Sequence, residues 1–431
     1  MHELGALGPT AFLIISSIKV IGAFTIVMVT VAMLTLAERR VSAWIQDRHG
    51  PNRVGPGGLL QPIADGLKNF VKEETSPGRA HTLFFILAPM MAIGPALVTF
   101  AVVPFAAPLP TPWGLVDMII ADLPIGILFI LALSSLGVYG IVMAGWSSNN
   151  KYSFLGALRA SAQMVSYEVG LGMSLIPVFM LAGNVTLTHM IWIQQEQLGL
   201  WLALPLSLSF VLFVIASIAE LNRLPFDMAE AESELVSGYH TEYSSMKFSM
   251  FFIAEYANML TASALMATLF FGGWDIPIWT GDDMRIVAPG VVQGAAPALW
   301  KTILTFVAFS VKTLFFCFMF IWIRWTVPRF RYDQIMHLGW KVMLPTALGY
   351  ITLNGAVILT LDSIGMEYGL LYGLILTAVN TLALVAFVVL IDRDRVIGSS
   401  TRKSAGMPGA LPYGVSATRV RPREATKAGE V

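Results

Sequence analysis

Charge is scarce in this chain. Only 13% of its 431 residues are Asp, Glu, Lys or Arg, against roughly 25% in an average soluble domain. With 56% hydrophobic residues and a mean hydropathy of +0.71, the chain reads as integral to a membrane. The formal net charge is zero, so nothing in the composition points to a nucleic-acid partner. There is one cysteine, Cys317, within an apolar run. That excludes an intrachain disulfide, a cysteine-ligated iron–sulfur cluster and a cysteine zinc site, and no metal-ligand set is read from the chain. No GxxxxGK[ST] and no GxGxxG after a strand occur, so neither a P-loop nor a dinucleotide fold is expected. The six histidines (His2, His49, His81, His189, His240 and His337) fall in loops or near the ends of apolar runs. None is placed to ligate haem in a bundle core. The chain therefore reads as having no redox centre of its own. The amino terminus lacks a charged region followed by a small-residue cleavage site, so the first run is expected to stay as an anchor. No strong internal repeat is visible.

What the chain does have is long apolar runs. A spanning helix needs about 20 mostly apolar residues. Nine runs qualify, over 12–37, 83–106, 123–145, 156–182, 199–219, 247–272, 300–325, 338–361 and 368–391. The expected fold is an all-α integral membrane protein of about nine transmembrane helices, forming a single domain over 1–391. The last two runs are joined by a short turn around Asp362–Glu367, as in a helical hairpin. Twenty-three of the 27 lysines and arginines fall in one set of loops and in the tail. Because cytoplasmic loops carry the excess of Lys and Arg, the amino terminus is expected outside and the carboxyl terminus inside. The inner-face loops are then 38–82, 146–155, 220–246 and 326–337. The outer loops 107–122, 183–198 and 273–299 hold Pro, Gly, Trp and few charges, with nothing that looks catalytic. The basic tail 392–431, rich in Gly, Pro, Ser and Ala, reads as flexible.

Loop 38–82 opens AERRVSAWIQDRHGPNRVGPGG and continues with Leu59, Leu60, Ile63, Leu67, Phe70 and Val71 at helical spacing. Asp65, Lys68, Asn69 and Lys72 fall on the other face, so the segment is expected to lie along the membrane surface. Gly and Pro at 50, 51 and 55–58 set the turn before it.

Ionisable residues inside spans carry the functional signal, because placing a charge there costs at least about 2.5–3.5 kcal/mol. Glu168 lies mid-span in RASAQMVSYEVGLGM, with Gln163, Ser166 and Tyr167 as polar company. Glu255 lies about two turns into its run, and Glu220 closes the fifth run. A neutral carboxyl bonded to a neighbouring helix explains any one of them; three together favour a hydrated relay. Between Glu220 and Glu255 the stretch ELNRLPFDMAEAESELVSGYHTEY adds Asp227, Glu230, Glu232, Glu234 and Glu242. Glu230 and Glu234 share a face if this stretch is helical, and either a solvated acidic face or part of the relay accounts for them. Lys312 is a relay partner or a buried counter-ion, and Lys19 a snorkelling side chain. Arg39 and Arg40, near Trp44, serve as positive anchors or as a site for a polar head group; the same choice holds for Arg324, Arg329 and Arg331.

Four blocks carry a resemblance: AERRVSAWIQDRHGPNRVGPGGLLQPIADGLKNFVKEE, RASAQMVSYEVGL, AELNRLPFDMAEAESELVSGYHTEYSSMKFSMFFIAEY and WIRWTVPRFRYDQIM. In content and order they resemble the quinone-site membrane subunit of respiratory complex I, the H subunit of the bacterial proton-translocating NADH:quinone oxidoreductase. The resemblance runs from about residue 12 to 391. It implies a multi-pass subunit of the bacterial inner (cytoplasmic) membrane, in contact with lipid. It would be part of a translocase that is not catalytically complete in this chain. Quinone, ubiquinone or menaquinone, would be the substrate at a shared site. Flavin and iron–sulfur clusters would sit on partner subunits. The partners would be the iron–sulfur and quinone-site peripheral subunits and neighbouring small membrane subunits. By motif position, Glu38, Arg39, Asp65, Arg324, Arg329 and Arg331 would line or border the quinone chamber. Glu220, Glu230, Glu232 and Glu234 would lead from it, and Glu168 and Glu255 would continue the path for proton coupling. The ninth span is not universal in that family, and the tail after 391 matches no motif. Other readings are the equivalent subunit of a membrane-bound hydrogenase or formate-hydrogen lyase, a free-standing proton or ion transporter, and an assembly scaffold. The surface-helix block argues against the first, the lack of an inverted repeat against the second, and the intramembrane glutamates against the third.

Overall fold

The computed structural model describes residues 2–3, 8–228, 232–277, 279–288 and 291–393. Helix α1 (Pro9–Ile45) starts with Pro9 in its first turn, where a missing N–H costs nothing. At 37 residues it measures about 55 Å at 1.5 Å per residue. That exceeds the hydrocarbon core, so the helix runs on beyond the apolar run and carries Glu38, Arg39 and Arg40 past its end. Then follow α2 (Gln61–Val71), α3 (Thr82–Val98), α4 (Gly126–Ser147) and α5 (Lys151–Ala182). Next come the short α6 (Leu187–Trp192), α7 (Ser207–Glu220), the four-residue α8 (Glu232–Leu235), α9 (Ser245–Phe270) and α10 (Leu299–Thr326). Helix α11 (Tyr332–His337) passes through 338–343 into α12 (Leu344–Ser363), and α13 (Leu370–Arg393) completes the described chain. Prolines 89 and 95 within α3 and 177 within α5 sit where membrane helices tolerate them, because neighbouring helices take up the freed backbone groups.

Among the described residues, eight helices are long and apolar enough to cross a membrane. The all-α multi-pass expectation holds, with one difference in count. The fifth run, 199–219, yields only the 14-residue α7, about 21 Å long. The reason is local. Gly199 has a φ of +60°, and Pro205 disfavours helix at the residue before it. Residues 202–206 instead turn, with the Ala203 N–H bonded to the Phe270 carbonyl at 2.8 Å.

Burial places α9 at the centre. Two thirds (67%) of its spanning window is enclosed and 56% of that of α5, against 33% or less for the other six. Those six present apolar side chains outward, as lipid-facing helices do. Helix α2 has no buried residue; Ile63, Leu67, Phe70 and Val71 all lie exposed on it, as expected of a segment lying on a membrane surface. The turn before it requires glycine at 58, where φ is +83° and a Cβ would come within 2.2 Å of the Pro51 carbonyl oxygen.

The three loops expected outside are structured. Strands β2 (Leu109–Thr111) and β3 (Gly114–Val116) form an antiparallel hairpin with Leu109 opposite Val116. Strands β4 (Met284–Ala288) and β5 (Val291–Gly294) pair, and β5 also pairs with β1 (His2–Glu3). The amino-terminal strand and the 273–299 loop thus share one end of the bundle, where the Lys19 ammonium also reaches the Asp117 and Ile119 carbonyls at 3.1 and 2.8 Å. The compact unit spans 1–384; residues 385–431 form a second unit, of which 385–393 belong to α13. The tail 394–431 lies outside the described residues.

Candidate functional site

At the opposite end, α1, α9, α10 and the loop after α7 bring charge together below the surface. Glu38 on α1 is 5% exposed and Arg223 in the loop is 2% exposed. The Arg223 Nη1 donates to Glu38 Oε2 at 3.0 Å and its Nε donates to Glu255 Oε1 at 2.7 Å. Tyr256 OH donates to the same Glu38 oxygen at 2.8 Å, and Arg324 Nη1 donates to the other. The Arg223 guanidinium also lies 4.5 Å from the Tyr256 ring centre, within cation–π range. Two carboxylates and two guanidiniums make the group neutral with every member ionised, the arrangement that lets buried charge persist. Burial works against the charged Arg223, but Glu255 and Glu38 outweigh it and hold its pKa above the usual arginine range.

Glu255 faces a second setting. With Glu220, Asn222, Ser134, Asn258 and Thr261 it lines a cavity of about 100 Å³. A water needs about 10–15 Å³ of such space and two to four polar partners, so this cavity has room for several waters. Glu220 is hydrogen-bonded to Ser134 and lies within electrostatic reach of Glu168. The neighbouring Ser135 on α4 donates to Glu168 Oε1. Residues from five helices and one loop therefore form one series, with Glu38 and Arg223 buried and the rest half-buried: Glu38, Arg223, Glu255, the cavity, Glu220, the Ser134–Ser135 pair and Glu168.

The remaining expected residues are placed differently. Arg39 pairs with Asp65 of α2 at 2.5 Å, with side chains 49% and 24% exposed, so this pair pins the surface helix to α1. Arg329 donates to the Asp227 carbonyl, and Arg331 is exposed with its N–H on Gln334 at 3.1 Å. Glu234 forms a surface ion pair with Arg159 at 2.6 Å, 56% exposed, away from the buried series. Glu230 lies outside the described residues. Glu232 begins α8, and its side chain lies outside the described set. The polar neighbours expected around Glu168 turn elsewhere. Gln163 donates to the Ala219 and Phe226 carbonyls, Ser166 accepts from Trp340, and Tyr167 donates to the Ile335 carbonyl. They tie α5 to α7, α11 and the segment leading into α12. Lys312 gives its ammonium protons to the carbonyls of Phe271, Gly273 and Asp275.

Sequence reasoning missed Arg223, Tyr256, Ser134 and Ser135. Arg223 was visible only as one more basic loop residue, although it is the lone cation in an otherwise acidic stretch. The serine pair in the apolar LALSSLG was the other available signal.

Eight described helices long and apolar enough to cross a membrane, with a series of enclosed and half-enclosed ionisable side chains among them, define a multi-pass, all-α membrane protein. The chain belongs to the NADH dehydrogenase family, whose model matches residues 18–355. It is 48% identical to an NADH-quinone oxidoreductase H subunit of Geobacter metallireducens over 336 residues, 78% of this chain and 94% of that one. It is 46% identical to the protein of the same name from Cytophaga hutchinsonii, over 81% of this chain and 98% of the other. The NADH-ubiquinone oxidoreductase chain 1 of Chondrus crispus is 46% identical over 81% of this chain and 99% of that one. Helix α13, from residue 370, begins after the matched region.

Proposed function

We propose that this chain is the membrane subunit of a proton-translocating NADH:quinone oxidoreductase that closes part of a quinone chamber and couples quinone reduction to proton movement. It works at the inner membrane of a bacterium, with the amino terminus outside. The observation that supports this reading is the series of ionisable side chains from Glu38 through Arg223 and Glu255, across the cavity, to Glu220 and Glu168. Its relatives' names supply the reaction, and peripheral partner subunits would carry the flavin and iron–sulfur clusters. The surface helix α2, held by Arg39–Asp65, and the Arg324, Arg329 and Arg331 stretch would border the chamber beside Glu38. The acidic residues Glu230 and Glu232 would form its inner-face approach, with Glu234, paired to Arg159 at the surface, at its edge and contributing little to coupling.

In this mechanism the quinone binds at the Glu38 end. Two-electron reduction takes up two protons at the head group, and iron–sulfur clusters on partner subunits would supply the two electrons. The changed charge demand reaches Arg223, which divides its hydrogen bonds between Glu38 and Glu255. When Glu38 is drawn away or protonated, Arg223 shifts toward Glu255, and the change passes through the cavity to Glu220 and Glu168. Burial makes each such charge change expensive unless a neighbour compensates, and this is what links successive members.

The test replaces Glu255 or Glu168 with Gln in the assembled complex. NADH oxidation by a hydrophilic artificial acceptor should be unchanged, because that electron path does not cross this chain. Quinone reductase activity coupled to proton uptake should fall at least tenfold. Normal coupled turnover in both variants refutes the proposal.

A further inference from the structure

At the far end of α9 from Glu255, three carboxylates crowd one another in the loop leading to β4. One oxygen each of Asp275, Asp282 and Asp283 lie within 4.8 Å of one another. Asp275 is 7% exposed and Asp282 is fully buried. Asp275 accepts from Trp201 Nε1 at 2.8 Å and from Gln195 Nε2 at 3.4 Å. One oxygen of Asp282 accepts the Ile276 N–H at 2.9 Å. The other oxygen, Oδ1, is buried and has no hydrogen-bond partner among the described residues. A buried carboxylate oxygen without a donor costs free energy that a fold does not keep without return.

The nearest cation does not resolve this. An ammonium has three protons, and those of Lys312 go to the carbonyls of Phe271, Gly273 and Asp275. Its charge still counts: three carboxylates beside one ammonium leave a local charge of −2. Glu196, in electrostatic reach of Asp283, deepens the field.

We propose that Asp275, Asp282 and Asp283 form a binding site for a hard divalent cation, calcium, that locks the loop after α9 onto the β4–β5 sheet. The dimensions fit. Calcium binds oxygen ligands at about 2.3–2.6 Å, so two of its ligands lie at most about 5 Å apart, and the three oxygens fall within that span. The donor set is oxygen only, which selects calcium or magnesium over zinc or copper. Calcium accepts the irregular geometry of a loop, whereas magnesium requires near-ideal octahedral ligation. The orphaned Asp282 oxygen gains the partner it lacks, and the local −2 is cancelled. The ion joins the start of the loop after α9, at Asp275, to its end just before β4, at Asp282 and Asp283, and through the Lys312 contacts with Phe271, Gly273 and Asp275 it touches α10.

The experiment uses the full-length chain in detergent micelles. Terbium serves as the probe, because Trp201 is hydrogen-bonded to Asp275 and sensitises terbium at this site. The expected result is sensitised emission that calcium displaces at micromolar to sub-millimolar concentration and magnesium displaces at least tenfold less effectively. Calcium should also raise the thermal midpoint of the wild type. Asp282→Asn and Asp283→Asn should each weaken calcium binding at least tenfold. Should either variant fail to fold, the wild-type titration decides alone. No calcium-displaceable emission in the wild type up to millimolar calcium overturns the proposal, as does calcium binding unchanged in both folded variants. A cluster that instead holds one shared proton shows no calcium response of the thermal midpoint, which likewise overturns it.

Discussion

Arg223 stands between Glu38 and Glu255, 3.0 Å from one through Nη1 and 2.7 Å from the other through Nε. No other described cation contacts both carboxylates. Arg324 reaches Glu38 only. Removing the bridge therefore leaves the half-buried Glu255 without an ion-pair partner, and the loss of one member of a buried pair costs up to about 3–5 kcal/mol. Arg223→Gln should lower the stability of the purified chain by about that amount, read as unfolding in a mild-detergent thermal scan. Adding Glu255→Gln to the same chain should recover part of the loss, because the unpaired charge is then gone. A double variant no more stable than the single would mean that Arg223 acts by packing on Tyr256 rather than by charge.

Glu234 and Glu220 lie only 14 positions apart in one acidic stretch, and the structure separates them. Glu234 is exposed and paired to Arg159 at the surface, while Glu220 lines the internal cavity with Glu255. An exposed ion pair contributes about 0–1 kcal/mol, so Glu234→Gln should leave coupled turnover within twofold of wild type. Glu220→Gln should lower it about tenfold or more. The comparison is made in membrane vesicles with NADH and quinone. Equal loss in both variants would place the coupling function on the loop surface rather than in the cavity.

The contrast shows where the sequence is legible. Hydropathy alone located all nine runs, because burial in lipid is a composition effect read over about 20 residues. It overestimated the fifth, where the effect of Pro205 on its neighbour shortens the helix to 14 residues. The amphipathic α2 was legible because its apolar spacing is local. The buried series was only half legible. Glu168, Glu220 and Glu255 announce themselves as charges inside apolar runs. The contacts that organise them do not, since Arg223 and Arg324 meet Glu38 across 185 and 286 positions. No local pattern encodes such a pairing. The same holds for Asp275, Asp282 and Asp283, which read as ordinary loop residues until the fold buries them.

His240 provides a pH probe of the inner loop. It is 6% exposed, packed edge-on to Tyr239 and Phe248, and burial lowers its pKa to about 4. An unfolded histidine titrates near 6.5. The folded form thus binds the proton less well, and the stability from neutral His240 is complete above about pH 6.5. It is lost as pH falls toward 4, by on the order of 3 kcal/mol. The thermal midpoint should decline across that window in the wild type and decline less in His240→Phe. An identical slope in the two would assign the pH response to other groups.

Asn380 decides how α13, beyond the matched region, is held to the bundle. It is fully buried, and its Nδ2 donates to the Pro205 carbonyl at 2.6 Å and to Asn354 Oδ1 at 3.0 Å. Pro205 is the residue that shortens α7, so the carbonyl it leaves outside a helix is the one α13 satisfies. Hydrogen bonds between membrane helices contribute about 0.6 kcal/mol on average and at most about 1.7. Here one amide serves two partners outside α13, besides the Leu376 carbonyl of its own helix, and the apolar variant Asn380→Leu orphans both of those. It should loosen the α12–α13 hairpin without changing the buried series at the other end. Limited proteolysis at the 364–369 turn should accelerate several-fold, while quinone reductase activity of the assembled complex stays within twofold of wild type. Unchanged proteolysis would mean that apolar packing alone, through residues such as Tyr372 and Leu376, holds the helix. A parallel loss of activity would make α13 part of the coupling machinery.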